Sequence, residues 1–287
     1  MASPEPQSAP SAARRARDRV RAAISGEILD AARAELDDAG AADLSLRAVA
    51  RRLGMAPSAL YRYFPSRDSL LTTLIVESYQ ALGAAAAEAD ARAEQAGAAP
   101  RARWLAVCSE VRSWAAAAPR RWALLYGSPV PGYAAPDTTV EPAAEVVRVV
   151  CRIVLDAGGG AGAGAVLPRS AGTAPGSVGA GAAPGSAGTA PGSVGAGAGP
   201  GSAGAGPGSA GAPLPGVPPG LDTVLAPLRD ALLPTVPSEL LVGTLVAWTS
   251  LVGMVSMELY GHYEGATTDF GAVFVYAMEL AGRLAGL

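Results

Sequence analysis

The segment SALYRYF, residues 58–64, places polar side chains on what its spacing predicts to be a very short helix. Leu60 and Phe64, four residues apart, are expected to point inward. The other side chains project outward or lie at the margins of that face: Ser58, Ala59, Tyr61, Arg62 and Tyr63. A guanidinium can donate two parallel hydrogen bonds to guanine, a methyl group can contact thymine, and hydroxyls suit phosphates. These residue types indicate a surface that contacts nucleic acid.

The preceding segment supplies the element that would position this short helix. Its apolar residues fall on one face of a second helix: Leu46, Val49, Ala50 and Leu53. Ser45 can cap that helix, and its outer face carries Arg47, Ala48, Arg51 and Arg52. Gly54 provides a tight turn, which predicts a helix-turn-helix whose second helix enters the major groove. Arg67, after Pro65, can bind the DNA backbone. An ordinary helical hairpin with a solvated face remains the alternative.

The stretch LSLRAVARRLGMAPSALYRYFPSRDSLL resembles the DNA-binding domain of the tetracycline-repressor (TetR) family of bacterial regulators. The resemblance implies an all-α fold, in which a three-helix helix-turn-helix domain binds DNA and a helical body binds ligand and dimerises. Family members usually repress transcription and release DNA when a small molecule binds. The positions that match the family's DNA contacts, of which Pro57 comes from the resemblance alone, are Ser45, Arg47, Pro57, Ser58, Ala59, Tyr61, Arg62, Tyr63 and Arg67.

Charge and chemistry favour a binding protein over an enzyme. The 287 residues carry a net charge of −3, but residues 1–75 hold 11 Arg against 9 acidic residues. A mildly basic front on an acidic body suits a protein that meets a polyanion at one end. We find no paired carboxylates, Ser/His/Asp set or Cys/His metal spacing, so we expect no enzyme activity, metal or cofactor. Cys108 and Cys151 are expected to be buried, reduced thiols.

The helical spacing predicts nine or ten helices and no strand. The first helix is expected to begin near Arg17 and the third to run from Pro57 to Pro65; the later helices are expected at about 101–117, 119–126, 140–157, 221–233, 238–262 and 268–285. We expect a disordered tail over 1–16, a DNA-binding domain over 17–82 and a ligand-binding and dimerisation domain over 83–287. A low-complexity Gly/Ala/Pro/Ser loop over 157–220, with a period of 16, interrupts that domain and is expected to be disordered. Five arginines precede or begin the first helix and form either an arm along DNA or a solvated basic tail: Arg14, Arg15, Arg17, Arg19 and Arg21.

Two segments of the C-terminal body are RWALLYGSPVPGY, residues 121–133, and AWTSLVGMVSMELYGHYEG, residues 247–265. They resemble a TetR subgroup named for a Trp-His-Gly motif, although Val252-Gly253 stands where that subgroup has His-Gly. A small apolar effector is expected to bind in this body. The candidate ligand-binding residues, each of which could equally be plain core, are Trp104, Trp114, Trp122, Tyr126, Trp248 and His262. For His262, the only histidine, a core position satisfied by a neighbour is the favoured interpretation.

The segment 240–257 carries no charge for 18 residues, which is long enough to span a membrane. Its acidic flanks and central Trp248 favour instead a helix buried by core and partner subunit, with no membrane contact. The prediction is thus a cytoplasmic, nucleoid-associated homodimer that binds double-stranded operator DNA with palindromic half-sites. A transcriptional activator of the same fold and a helical interaction protein without DNA binding remain alternatives.

Overall fold

The computed structural model describes residues 12–158, 218, 220–232 and 238–287. This part of the chain forms ten α-helices and one 3-10 helix, with no strand, and the predicted all-α fold is confirmed. Most of the predicted loop 157–220 and of the predicted tail 1–16 lies outside the described residues. The helices in chain order are α1 Ala12–Ala39, α2 Leu46–Arg52, α3 Pro57–Leu60, α4 Arg67–Gln95, α5 Pro100–Ala117, α6 Pro119–Tyr126, the 3-10 helix Asp137–Thr139, α7 Val140–Ala157, α8 Leu221–Leu232, α9 Ser238–Leu259 and α10 Phe270–Leu284.

Local sequence signals set the ends of the first helices. Ser45 caps α2 by accepting a hydrogen bond from the Ala48 backbone N–H at 3.2 Å. Ser66 and Ser69 form a reciprocal capping box at the start of α4. Gly54 has φ +65°, a backbone conformation that favours glycine, and it turns the chain between α2 and α3.

The helices enclose two large apolar cores that share α4, and a smaller cluster around Cys151 and Leu241 joins α7, α8 and α9. The first core joins α1, α2 and α3 to the start of α4, where Leu70 and Leu74 are buried. The second core joins α4 to α5, α6, α7, α9 and α10, and Leu82 and Ala86 belong to it. One continuous helix therefore connects the predicted DNA-binding helices to the body.

Three boundaries differ from the prediction. The first helix begins at Ala12 rather than near Arg17, because the AARRAR sequence is rich in strong helix formers. Helix α3 is a single turn; beyond Leu60 the chain continues with the tighter hydrogen bond from Tyr63 N–H to the Leu60 carbonyl, at 2.9 Å. Helix α9 ends at Leu259, just before Gly261 at φ +75°.

Two described helices are long and apolar enough to cross a membrane, Arg67–Gln95 and Leu240–Leu259. The first lies between both cores, so its apolar residues are explained by packing within the protein. The second packs Ala247, Leu251 and Val255 into the body. Length and composition alone are weak evidence for a span, because core helices of soluble proteins pass the same test.

Both cysteines are buried and unbonded, as predicted. Burial raises the pKa of the Cys151 thiol to about 12 and that of Cys108 well above its ordinary value. Both therefore stay protonated and are poor nucleophiles near neutral pH.

Candidate nucleic-acid interface

The segment 57–64, which we call the recognition segment, presents a polar outer surface over an apolar anchor. Leu60 is fully buried and Phe64 is 8% exposed, which confirms their predicted inward orientation. Ser58 and Arg62 are exposed, Ala59 is half-buried, and Tyr61 is 46% exposed. The anchor fixes the backbone while the hydrogen-bonding groups stay open, as groove recognition requires.

The start of α2 adds an exposed cation and a hydroxyl that already has a hydrogen-bond partner. Arg47 is exposed on the outer face of α2. The Ser45 hydroxyl is half-buried and already accepts a hydrogen bond as the helix cap, and its O–H can still donate to an additional partner. Ala48, expected on the outer face beside Arg47, is instead buried, because α2 packs between α1 and α3.

Arg67 has a structural role that the sequence pattern did not indicate. Its Nε donates to the Leu44 carbonyl at 2.9 Å, and its Nη2 donates to the Ala41 and Ala42 carbonyls at 2.8 and 3.0 Å. These bonds hold the turn between α1 and α2. The remaining Nη1 lies 3.9 Å from Asp68, so only this part of the guanidinium faces outward for a phosphate.

The far end of the recognition segment meets α1. Arg21 Nη2 donates to the Arg62 carbonyl at 3.3 Å, and the Arg21 guanidinium carbon lies 5.5 Å from the centre of the half-buried Tyr63 ring. Pro57 is exposed at the opposite end, as the first residue of α3. The recognition segment is thus supported from below by the first core and from one side by a cation–π contact.

In the body, three of the six candidate ligand-binding residues lie together. The Tyr126 ring centre is 4.5 Å from that of Trp122 and 6.1 Å from that of Trp248. Tyr79 of α4 joins them at 6.1 Å from Tyr126, a residue that nothing in the sequence distinguished from an ordinary helix position. These four rings, which we call the aromatic cluster, link α4, α6 and α9.

The Tyr126 hydroxyl is the unusual member of this cluster. Among the buried side-chain polar atoms that the structure describes, its Oη has no hydrogen-bond partner. Trp122, by contrast, donates from Nε1 to Ser256 Oγ at 3.0 Å. Burial and the nearby Tyr79 raise the pKa of Tyr126, so its hydroxyl is protonated and can donate. An unpaired buried hydroxyl costs about 1–3 kcal/mol, which a ligand acceptor could recover.

A cavity of about 740 Å³ lies beside the aromatic cluster. Tyr126 and Arg120 line it from α6, Tyr260 from the end of α9, and residues 39–42 from the turn between α1 and α2. This volume falls in the range of small-molecule sites. The cavity therefore adjoins both the aromatic cluster and the turn that Arg67 holds.

The other three candidates lie elsewhere. Trp104 is fully buried, and its Nε1 donates to the Met278 carbonyl at 2.7 Å, which joins α5 to α10. Trp114 is half-buried against the second core. His262 is exposed in the turn after α9, so the expectation of a core histidine is wrong. The turn begins at Tyr260 and bends at Gly261, which carries His262 away from the core.

Comparison with known proteins matches both parts of the chain. The family model described as bacterial regulatory proteins, tetR family, matches residues 28–74, and the tetracyclin repressor-like, C-terminal domain model matches residues 104–281. The HTH-type transcriptional regulators Mb1846 of Mycobacterium bovis and Rv1816 of Mycobacterium tuberculosis are each 48% identical over 131 residues, 43% of this chain and 53% of theirs. The chain thus spans about half the length of the curated relatives it matches.

Solved structures agree with this assignment. The crystal structure of SCO4313, described as a regulatory protein, has a TM-score of 0.63 at 26% identity, with 92% of this chain and 97% of that chain covered. A Rhodococcus sp. RHA1 protein of unknown function has a TM-score of 0.51 at 22% identity, with 91% and 94% covered, which shows the fold alone. The Trp-His-Gly subgroup is named by neither family description and stays a prediction. Because the C-terminal match covers more than half of its length, the chain belongs to the TetR family of bacterial regulators, which are non-enzymatic transcription factors with an N-terminal DNA-binding domain.

Proposed function

We propose that this protein is a homodimeric transcriptional repressor, which binds a palindromic operator at the nucleoid and is released by a small, mostly apolar effector. The observation that carries the DNA-binding part is the recognition segment, where exposed Ser58, Tyr61 and Arg62 stand on the buried anchors Leu60 and Phe64. In this proposal Arg62 reads a base, and the remaining contacts position the protein on the DNA: Ser45, Arg47, Pro57, Ser58, Ala59, Tyr61, Tyr63 and Arg67.

The dimer is proposed from an apolar stripe that a single chain leaves exposed. Val273, Tyr276, Leu280 and Leu284 follow one another at helical spacing along α10 and are 44%, 61%, 43% and 36% exposed. Val246 and Met257 of the neighbouring α9 are also exposed. A row of large apolar side chains on paired helices is typical of a surface that another helix pair covers. A second copy of the chain would bury it symmetrically.

The effector is proposed to bind at the aromatic cluster and the adjoining cavity. The cluster offers apolar ring faces, and the unpartnered Tyr126 hydroxyl offers one hydrogen bond. The matching ligand is a flat, apolar molecule that carries a hydrogen-bond acceptor. Since the cavity is lined by the turn between α1 and α2, an occupant would press on the domain that holds the recognition segment.

The dimer can be tested by measuring the mass of the chain in solution by light scattering. The wild type is expected at twice the 28.5 kDa of one chain. Val273→Glu should shift it to the monomer, because it buries a charge in the proposed interface. Val140→Glu, at a valine 55% exposed at the start of α7, is the matched control and should leave the mass unchanged. A monomeric wild type would contradict the proposal.

Repression and effector binding need separate measurements. A reporter fused to DNA selected by the protein should become more active when the gene for this protein is deleted; a fall in reporter activity would show an activator.

Effector binding is tested with flat aromatic carbonyl compounds, which should quench tryptophan fluorescence and release bound DNA. Tyr126→Phe should weaken that binding about 10-fold, the value of one hydrogen bond. Tyr260→Phe, in the same cavity but 48% exposed, is the control and should have no such effect.

A further inference from the structure

The first turns of α1 project beyond the first core. Every described side chain from Ala16 to Ala23 is exposed, and Ile28 is the first buried residue of α1. Val20, the only large apolar residue of residues 12–23, is 59% exposed. We call residues 12–23 the α1 extension. Its helix is not held in place by apolar packing within the described chain.

The like charges of the α1 extension repel one another along the helix. The segment AARRARDRVRAA holds five arginines and one aspartate, a net charge of +4 from 5 − 1. Arg15 and Arg19 are four residues apart, as are Arg17 and Arg21, and like charges at this spacing destabilise a helix. A polyanion on this surface would remove the repulsion.

The contacts of Arg21 fix where this surface lies. Because Arg21 binds the Arg62 carbonyl and stacks over Tyr63, its side of α1 adjoins the outer end of the recognition segment. At about 100° per residue, Arg17 lies within roughly 40° of Arg21 around the helix. Arg19 lies roughly 160° away, on the other side of the same helix. Of Arg17 and Arg19, only Arg17 therefore faces the DNA that the recognition segment would bind.

We propose that the α1 extension is a second DNA-contacting element, in which Arg17 binds the phosphate backbone flanking the bases under the recognition segment. The proposal rests on the DNA-binding role of that segment. Four residues of helix, from Arg21 back to Arg17, span about 6 Å. At 3.4 Å per base pair this corresponds to about two base pairs beyond the site of the recognition segment. The contact adds affinity and length of footprint, and it reads no base.

The test measures affinity against salt concentration with the full chain. A duplex enriched from a random pool by the wild-type chain serves as the probe, and binding is followed by fluorescence anisotropy. Arg17→Ala should lower the slope of log affinity against log salt by about 0.9 per bound protomer. This corresponds to affinity about 4- to 8-fold weaker at 0.2–0.1 M salt. Arg19→Ala, the matched control, should change the affinity less than about 2-fold, and both variants keep a good helix former.

Two further measurements distinguish a phosphate contact of Arg17 from a solvated basic tail. Arg17→Lys should keep the wild-type slope, because a lysine also neutralises one phosphate. Removing the two flanking base pairs that Arg17 would reach from each end of the probe should weaken the wild type but leave Arg17→Ala unchanged. Equal effects of Arg17→Ala and Arg19→Ala would overturn the proposal and identify a solvated basic tail. A pool without any enriched duplex would instead refute the DNA-binding role, and the proposal with it.

Discussion

The buried carboxylate Asp90 should be the most sensitive charged position in the body. It lies on α4 with a fully buried side chain and accepts hydrogen bonds from two arginines. Arg103 of α5 binds it through Nε at 2.7 Å and Nη2 at 3.1 Å, and Arg152 of α7 through Nε at 3.1 Å and through Nη2. Asp90→Asn removes the negative charge that joins these three helices and leaves Arg103, only 5% exposed, with a weaker partner.

The expected loss of stability depends on which partners of Asp90 can contact water once the carboxylate is gone. Breaking a buried ion pair costs about 3–5 kcal/mol. Arg152 is 49% exposed, and Arg103 keeps Asp156 at 2.8 Å, so the lower limit applies. We expect the free energy of unfolding to fall by about 3 kcal/mol, or Tm by roughly 6–12 °C for a chain of this size.

Chemical denaturation followed by circular dichroism measures this loss. Glu88→Gln is the control on the same helix, since Glu88 is 73% exposed and lies 3.8 Å from Arg92. It should cost less than about 0.5 kcal/mol. Equal losses from Asp90→Asn and Glu88→Gln would refute the reasoning that burial, rather than charge pairing as such, determines the cost.

The difference in stability between the wild type and Asp90→Asn should depend on pH. Burial raises the pKa of Asp90, but hydrogen bonds from Arg103 and Arg152 outweigh it and hold the pKa below its ordinary value of 3.8. A lowered folded-state pKa gives stability that is fully present above the ordinary value and is lost as pH falls through the folded value. The gap between wild type and Asp90→Asn should therefore be constant near neutral pH and narrow below about pH 4.

Three further substitutions test particular contacts by thermal denaturation. Tyr126→Phe should raise the stability of the free protein by about 1 kcal/mol, because it removes a buried hydroxyl without a partner; a loss would show that the hydroxyl is satisfied. Gly243→Ala should lower the free energy of unfolding by about 3 kcal/mol, since its Cβ would lie 1.7 Å from the Leu284 carbonyl oxygen. Gly26→Ala, whose Cβ would have nothing within 4 Å, should stabilise the protein. Similar effects of the two substitutions would contradict the close approach of α9 and α10. Arg67→Ala should lower stability by about 2 kcal/mol as well as DNA affinity; lowered affinity alone would assign it only to phosphate binding.

The helices could be predicted from the sequence because their ends carry local signals. Proline at the first position marks α5 and α6, which begin at Pro100 and Pro119 within one residue of the prediction. The inward positions of Leu60 and Phe64 followed from helical spacing alone. Such signals lie within a few residues of the feature they determine.

Features that depend on contacts distant in sequence were not predictable. The partners of Arg67 lie 23 to 26 residues away, so nothing beside Arg67 indicated its role in the turn. Tyr79 joins the aromatic cluster because α6 packs against both α4 and α9, so that Tyr126 contacts Tyr79 on one helix and Trp248 on the other. His262 is exposed because the chain turns at Gly261, which its own type did not reveal. Residue type determined the available chemistry, while tertiary packing determined which groups remain free.

The most direct test of the DNA-reading role of the recognition segment is the base preference of the full chain, measured by sequencing duplexes selected from a random pool. We expect a palindromic sequence with two half-sites. Arg62→Ala should lose the preference for one base pair in each half-site, at a cost of about 1–3 kcal/mol of binding free energy there. Exposed Arg92, on α4 in the body, should be replaceable by alanine without changing the preference. Selection of the same sequence by Arg62→Ala as by the wild type would contradict the assignment of the recognition segment.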